Sequence, residues 1–208
     1  MFIVDFDDTL FDTQAFKQKR KQVLKDVGVT DIDYDTSYKK GYVSNDGVYK
    51  YSNKTHASAL SDLGYNYDLV YNALKTTTTK KSLVSFLFDD TIFFINYLKS
   101  TNQKMILLSL GGASFQQLKS EGSGIIDFFD DVFFVNCKKH LIIKDILAKY
   151  KSNNTIWFIN DKLQETKEID DLYGDQLSTI IKSDTNNSTY KNIPVVNSLR
   201  KVIEFIRE

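Results

Sequence analysis

Apolar and polar positions along the chain fall into blocks of two kinds. Phe2-Ile3-Val4 is a short apolar run of β-branched and aromatic side chains closed by Asp5, the pattern of a buried strand. Four later runs share that character: KMILLSL at 104–110, VFFVN at 132–136, TIWFIN at 155–160 and STIIKS at 178–183. Between most of them lie helical patterns: DTIFFINYLKS, with Asp90 or Thr91 as its N-cap, then ASFQQLKSEG and KHLIIKDILAKY. Strands alternating with helices imply an α/β fold, a Rossmann-like parallel sheet sandwiched by helices.

The interval between the first two strands is far longer than one crossover helix requires. It holds QAFKQKRKQVLKDVG, THASALSDLG and YDLVYNALKTTTTKK, three helix-permissive pieces separated by Gly, Asn and Asp. This predicts a small, mostly helical insertion over 13–83, with 1–12 and 84–208 forming the sheet domain. The insertion is expected above the C-terminal edge of the sheet, where open parallel sheets bind ligands. TTTTKK at 76–81 reads as a helix end or hinge, and YKKGYVSNDGVYKYSNK as a polar, aromatic surface turn region.

Composition narrows the function. The chain has 208 residues, enough for one sizeable core plus a small insertion, and a single Pro leaves little room for a stiff linker. Its 27 Lys and Arg balance 27 Asp and Glu, which argues against a broad footprint for nucleic acid or an anionic membrane. A lone cysteine, Cys137, excludes an intramolecular disulfide and fits a reducing compartment. Asp5 interrupts any secretory leader, and VSFLFDDTIFFINYL is broken by Asp89 and Asp90 and too short to span a bilayer. A soluble, cytoplasmic protein is the expectation, with its oligomeric state unreadable.

Asp5, Asp7 and Asp8 then crowd at the end of the first strand. Carboxylates held so close repel one another, so the stretch demands a metal or a lysine. DFDDTLFDT also resembles the signature of the haloacid dehalogenase-like (HAD) hydrolases, in which an Asp ending the first strand is followed by a second Asp and a Thr, here Asp5, Asp7 and Thr9. The resemblance extends to Ser109 in MILLSLGG, at the end of the second strand, and to a lysine in NCKKHLIIKDIL. Lys139 is favoured because Ile142, Ile143 and Ile146 then fall on a helix starting with it. Lys138 and Lys144 stay open, since the usual Lys-Pro pair is absent and His140 stands where Pro often does. WFINDKLQET supplies Asp161 and Glu165, with Asn160 in place of the family's Gly and Glu in place of its second Asp.

The resemblance implies a magnesium-dependent phosphohydrolase of small phosphorylated metabolites. Asp5 is the implied nucleophile, forming an aspartyl-phosphate, and Asp7 the acid and then the base. Magnesium is implied on Asp5, the carbonyl of Asp7 and Asp161, with Glu165 hydrogen-bonding the surrounding waters or the lysine. Ser109 and Lys139 would hold the phosphoryl oxygens, with Thr9 and backbone N–H groups near Phe6, Leu110 and Gly111. Dehalogenating members lack the acid two residues after the nucleophile, so Asp7 points to phosphoryl transfer. Asp8 reads as a turn residue.

The family places a helical cap where this chain has its insertion. His56, Tyr49, Tyr51, Lys50 and Lys54 are its candidate substrate contacts, although a lone His is more often a structural hydrogen-bonder. A phosphosugar mutase of the same fold, or a non-catalytic phospholigand-binding protein, is the alternative. A receiver-like phospho-acceptor fits less well, because its acceptor Asp ends a later strand and it lacks the insertion.

Overall fold

The computed structural model describes residues 1–42, 51–150, 154–183, 188–190 and 192–207. In chain order these form β1 (Phe2–Val4), α1 (Thr13–Lys25), α2 (Asp31–Tyr42), α3 (Asn53–Ser61), α4 (Tyr67–Thr76), α5 (Lys80–Val84) and α6 (Thr91–Ser100). There follow β2 (Met105–Leu110), α7 (Ala113–Gly122), β3 (Asp131–Val135), α8 (Lys139–Lys149), β4 (Trp157–Asn160), α9 (Leu163–Tyr173), β5 (Ser178–Lys182), β6 (Ser188–Tyr190), β7 (Ile193–Val196) and α10 (Leu199–Arg207).

The chain divides into two compact units, one of residues 1–11, 87–110 and 125–208, the other of residues 12–86 and 111–124. The first is built on a sheet of order β3-β2-β1-β4-β5-β7-β6, parallel throughout except where β6 runs against β7. Val4 pairs with Leu107 on one side and Ile159 on the other, so β1 lies between β2 and β4 with all three C-terminal ends on one edge. β1 is buried at every position, as a strand covered on both faces must be. Met1, Ile3, Ile106, Leu108, Ile143, Ile146, Phe158 and Ile169 belong to one core cluster of this unit.

The five expected strands are present, each within two residues of its expected bounds. The pattern does not reveal β6 and β7, which are short and carry Pro194, an ordinary sign of a strand near a sheet edge. Asp90 is the N-cap residue of α6 but makes no side-chain cap bond. Its Oδ2 accepts instead from the Arg200 amide at 3.2 Å, while Thr91 Oγ1 donates to the Leu10 carbonyl at 2.7 Å.

The second unit is helical. Asp12 caps α1, its Oδ1 accepting from the Ala15 amide at 2.7 Å, and the buried stripe of the helix is Phe16, Arg20 and Leu24 at successive i, i+4 positions. α3 opens on a capping box between Ser52 and Thr55. Leu24, Val29, Tyr34, Ala57, Leu60, Val70 and Leu74 make the core of this unit. Within TTTTKK, Thr76 ends α4 and Thr79 caps α5, so the stretch is a helix junction. The surface-turn reading of 38–54 needs correction at its two described ends, although Lys39 and Lys40 are exposed, and 43–50 lie outside the described residues. Tyr38 belongs to α2 and is half-buried and Tyr51 and Asn53 are buried, with the Tyr38 and Tyr51 rings packed against His56. Tyr49 and Lys50 lie outside the described residues, and Lys54 is exposed.

Candidate active site

Asp5 follows β1 directly, and its amide donates to the Ile159 carbonyl at 2.9 Å, which ties it to the end of β4. The chain then turns sharply. The amides of Leu10 and Phe11 both donate to the Phe6 carbonyl, the Phe6 and Phe11 rings stack with centroids 5.0 Å apart, and Asp7 bridges to Phe11. Asp8 is the hinge of this turn at φ +57°, a left-handed conformation that Asp tolerates better than most residues. Phe6 and Thr9 are buried and Asp7 is half-buried.

Of the three candidate lysines, Lys139 is the one beside Asp5. As the first residue of α8 it is 3 % exposed, and its Nζ lies 2.7 Å from Asp5 Oδ1, 3.2 Å from Glu165 Oε2 and 3.0 Å from Asn160 Oδ1. Lys138 pairs with Glu168 at the surface, and Lys144 is exposed. Asp161 follows β4 and Glu165 lies in the first turn of α9, so the short link between them brings both acids back to Lys139. Burial pushes Glu165 up, but Lys139 and Lys162 together outweigh it and hold its carboxyl below the usual range.

Asp161 behaves in the opposite way. Burial, then the neighbouring charge of Asp5 and a hydrogen bond with it, raise its pKa to about 8. Its Oδ1 is buried without a partner, as are the hydroxyls of Ser109, near the end of β2, and of Thr9. Leaving such groups unmet costs roughly 1–3 kcal/mol each unless a ligand meets them. Ser109 continues two residues beyond Leu107, the partner of Val4, and therefore reaches the same sheet edge as Asp5. Leu110 ends β2, whereas Gly111 belongs to the second unit. Gly111 has φ +149°, and a Cβ there would lie 2.6 Å from Gln116 Nε2, so the position suits only glycine.

The donor set fits magnesium. Among the described residues no three His, Cys, Asp or Glu side chains form a metal cage. Two facing carboxylates, one retaining its proton to about pH 8 because the other lies against it, are where a divalent cation would replace that proton. Magnesium needs only one or two carboxylates besides waters and a backbone oxygen.

Several participants escape the sequence pattern. Asn160, a departure from the family's Gly, accepts from Lys139 and donates to Thr166 Oγ1 at 3.2 Å. Lys162 is held above its ordinary value, burial being outweighed by Glu165, Asp5 and Asp161. Lys182 is buried at the end of β5 and donates to the Asp8 carbonyl at 3.2 Å. A charged residue ending an apolar strand was the available signal for Lys182, while nothing in the pattern marks Asn160. A cavity of about 410 Å³ lined by Lys99, Lys104, Met105 and Phe128 lies at the opposite end of β2 and shares no residue with this cluster.

No protein-family model and no curated protein matches the sequence. Solved structures match over the whole chain. L-2-haloacid dehalogenase from Xanthobacter autotrophicus is 13% identical with a TM-score of 0.65, over 99% of this chain and 97% of that one. This chain has the HAD-like hydrolase fold. The HAD-hydrolase YfnB from Bacillus subtilis, whose structure is bound to magnesium, is 17% identical with a TM-score of 0.61, over 100% and 98% of the two chains. A predicted phosphoglycolate phosphatase from Haemophilus somnus is 11% identical with a TM-score of 0.60, over 99% and 97%. The HAD-like neighbours thus include both dehalogenases and a phosphatase. Among the described residues no helix is long and apolar enough to cross a membrane.

Proposed function

We propose that the chain is a magnesium-dependent phosphohydrolase of small phosphorylated metabolites, working through an aspartyl-phosphate on Asp5. The observation that carries the reading is the pairing of two acids in one turn: Asp5 ion-paired to Lys139, and Asp7 two residues on in the half-buried turn closed against Phe11. A phosphoester needs a proton for its leaving alcohol, and in this reading Asp7 supplies it. A halide leaves without a proton, so a dehalogenase has no comparable use for that second acid.

In this account Asp5 attacks phosphorus as the ester P–O bond breaks, and Asp7 delivers its proton to the departing alkoxide. Asp7 then takes a proton from water, which attacks phosphorus and returns Asp5 as a carboxylate. Lys139 offsets charge on the phosphoryl oxygens, and the unpartnered hydroxyls of Ser109 and Thr9 donate to them. Magnesium on Asp5, Asp161 and the Asp7 carbonyl would supply further charge neutralisation. Glu165, Asn160 and Thr166 fix the lysine. The helical unit is proposed as the cap, and the neighbour named as a phosphoglycolate phosphatase is consistent with a small substrate.

The deciding experiment measures phosphate release from small phosphomonoesters and halide release from short 2-haloacids on one preparation. Phosphate release without halide release is expected. Halide release alone would overturn the proposal in favour of the dehalogenase reading that the Xanthobacter neighbour suggests.

A further inference from the structure

The second unit buries a cation that none of its described carboxylates neutralises. Arg20, on the inward stripe of α1, is 1 % exposed. Its Nη1 donates to Thr77 Oγ1 at 2.9 Å and its Nη2 to the Tyr51 hydroxyl at 2.6 Å, while Nε has no partner. The rings of Phe16, Tyr51 and Phe115 surround it, with centroids 5.3, 5.3 and 5.5 Å from Cζ. Among the described residues no carboxylate pairs with it.

Followed through these hydrogen bonds, neither acceptor leads to a described carboxylate. Thr77 Oγ1 passes its own proton to the Leu74 carbonyl at 2.7 Å. The Tyr51 hydroxyl lies 2.7 Å from His56 Nδ1, His56 Nε2 lies 3.0 Å from Ser37 Oγ, and that hydroxyl donates to the Tyr34 carbonyl at 3.0 Å. The one arrangement that satisfies every member has Tyr51 donating to Nδ1 and Nε2–H donating to Ser37. His56 is therefore a neutral Nε2–H imidazole. Burial, and after it the charge of Arg20, push its pKa down to about 3. A further buried cation lies close by, since Lys119 is 4 % exposed with Nζ 5.8 Å from the Phe115 centroid.

A desolvated charge left to neutral acceptors costs several kcal/mol, which aromatic faces offset only in part. The planar donor fork of arginine matches carboxylate and phosphate oxygens. We propose that the second unit carries an oxyanion-binding site centred on Arg20, where a phosphate or carboxylate group of a small ligand meets the unpartnered Nε–H within the Phe16, Tyr51 and Phe115 cage. Entry is past Phe115, which is half-buried where Phe16 and Tyr51 are buried. Every residue of this site belongs to the second unit, and the proposal does not depend on the phosphatase reading.

The test uses inorganic phosphate and acetate as probes on the full chain, with chloride as the control. The imidazole nitrogen resonances of His56 are read by NMR, which is tractable because the chain has only two histidines. Saturable shifts of His56 are expected with phosphate, acetate or both, and the stronger probe identifies the oxyanion preferred. The shifts persist in Asp5→Asn, which removes the proposed nucleophile, and vanish in Arg20→Met with His140 unmoved. Arg20→Lys, which keeps the charge and loses the fork, weakens binding at least tenfold and serves if the Met variant does not fold. An unmoved His56 with both probes, or shifts that survive both Arg20 variants, would overturn the proposal.

Discussion

The Lys139 ammonium lies 2.7 Å from the Asp5 carboxylate with both side chains sealed from solvent, and its other donors meet Glu165 and Asn160. Removing one member of such a pair strands the other charge in a poor solvent. Lys139→Met is expected to lower stability by about 3 kcal/mol and phosphate release by roughly a hundredfold or more. Urea melts and steady-state assays check both, and a variant as stable as wild type would contradict the pairing.

Asp161 keeps its proton to about pH 8 because of burial and, next, the charge of Asp5. Asp5→Asn removes that charge, so the Asp161 pKa is expected to fall. Carboxyl titration by NMR without magnesium measures it, and an unchanged Asp161 would show that Asp5 is not the source.

His56 links stability to acidity. Its folded pKa of about 3 lies below the ordinary value of 6.5, so between these values the unfolded chain binds a proton that the folded chain refuses. The contribution is fully present above about pH 6.5 and is lost as pH falls toward 3, at up to about 1.4 kcal/mol per pH unit. His56→Gln should flatten this dependence in urea melts across that window, and equal slopes would count against a buried neutral His56.

Tyr51 joins Arg20 to His56. Tyr51→Phe keeps the ring and deletes the hydroxyl, leaving a guanidinium donor and an imidazole acceptor unmet. About 1–3 kcal/mol of stability should be lost. Thermal unfolding measures it, and a loss of a few tenths would mean that the relay contributes little.

Much of this fold is legible in the sequence. Phe2-Ile3-Val4 and the runs of β2, β4 and β5 are buried or nearly so, whereas β3 at the sheet edge is mostly half-buried, and all five announce themselves as apolar stretches. The positions of Asp5, Ser109 and Asp161 follow from strand ends. Choosing Lys139 over Lys138 requires the first turn of α8, since adjacent residues on a helix point about 100° apart and only one can face Asp5. The role of Asn160 depends on side-chain geometry that no periodicity encodes. Tyr51 misled a surface reading because its hydroxyl is satisfied by Arg20 and His56, which allows a polar tip to sit in a core.

The most direct test of the central claim is phosphate release from a panel of small phosphomonoesters, with and without magnesium, by wild type and Asp5→Asn. The account predicts magnesium-dependent release by the wild type that Asp5→Asn abolishes. Release that survives the substitution, or none from the folded wild type with magnesium on any member of the panel, would contradict it.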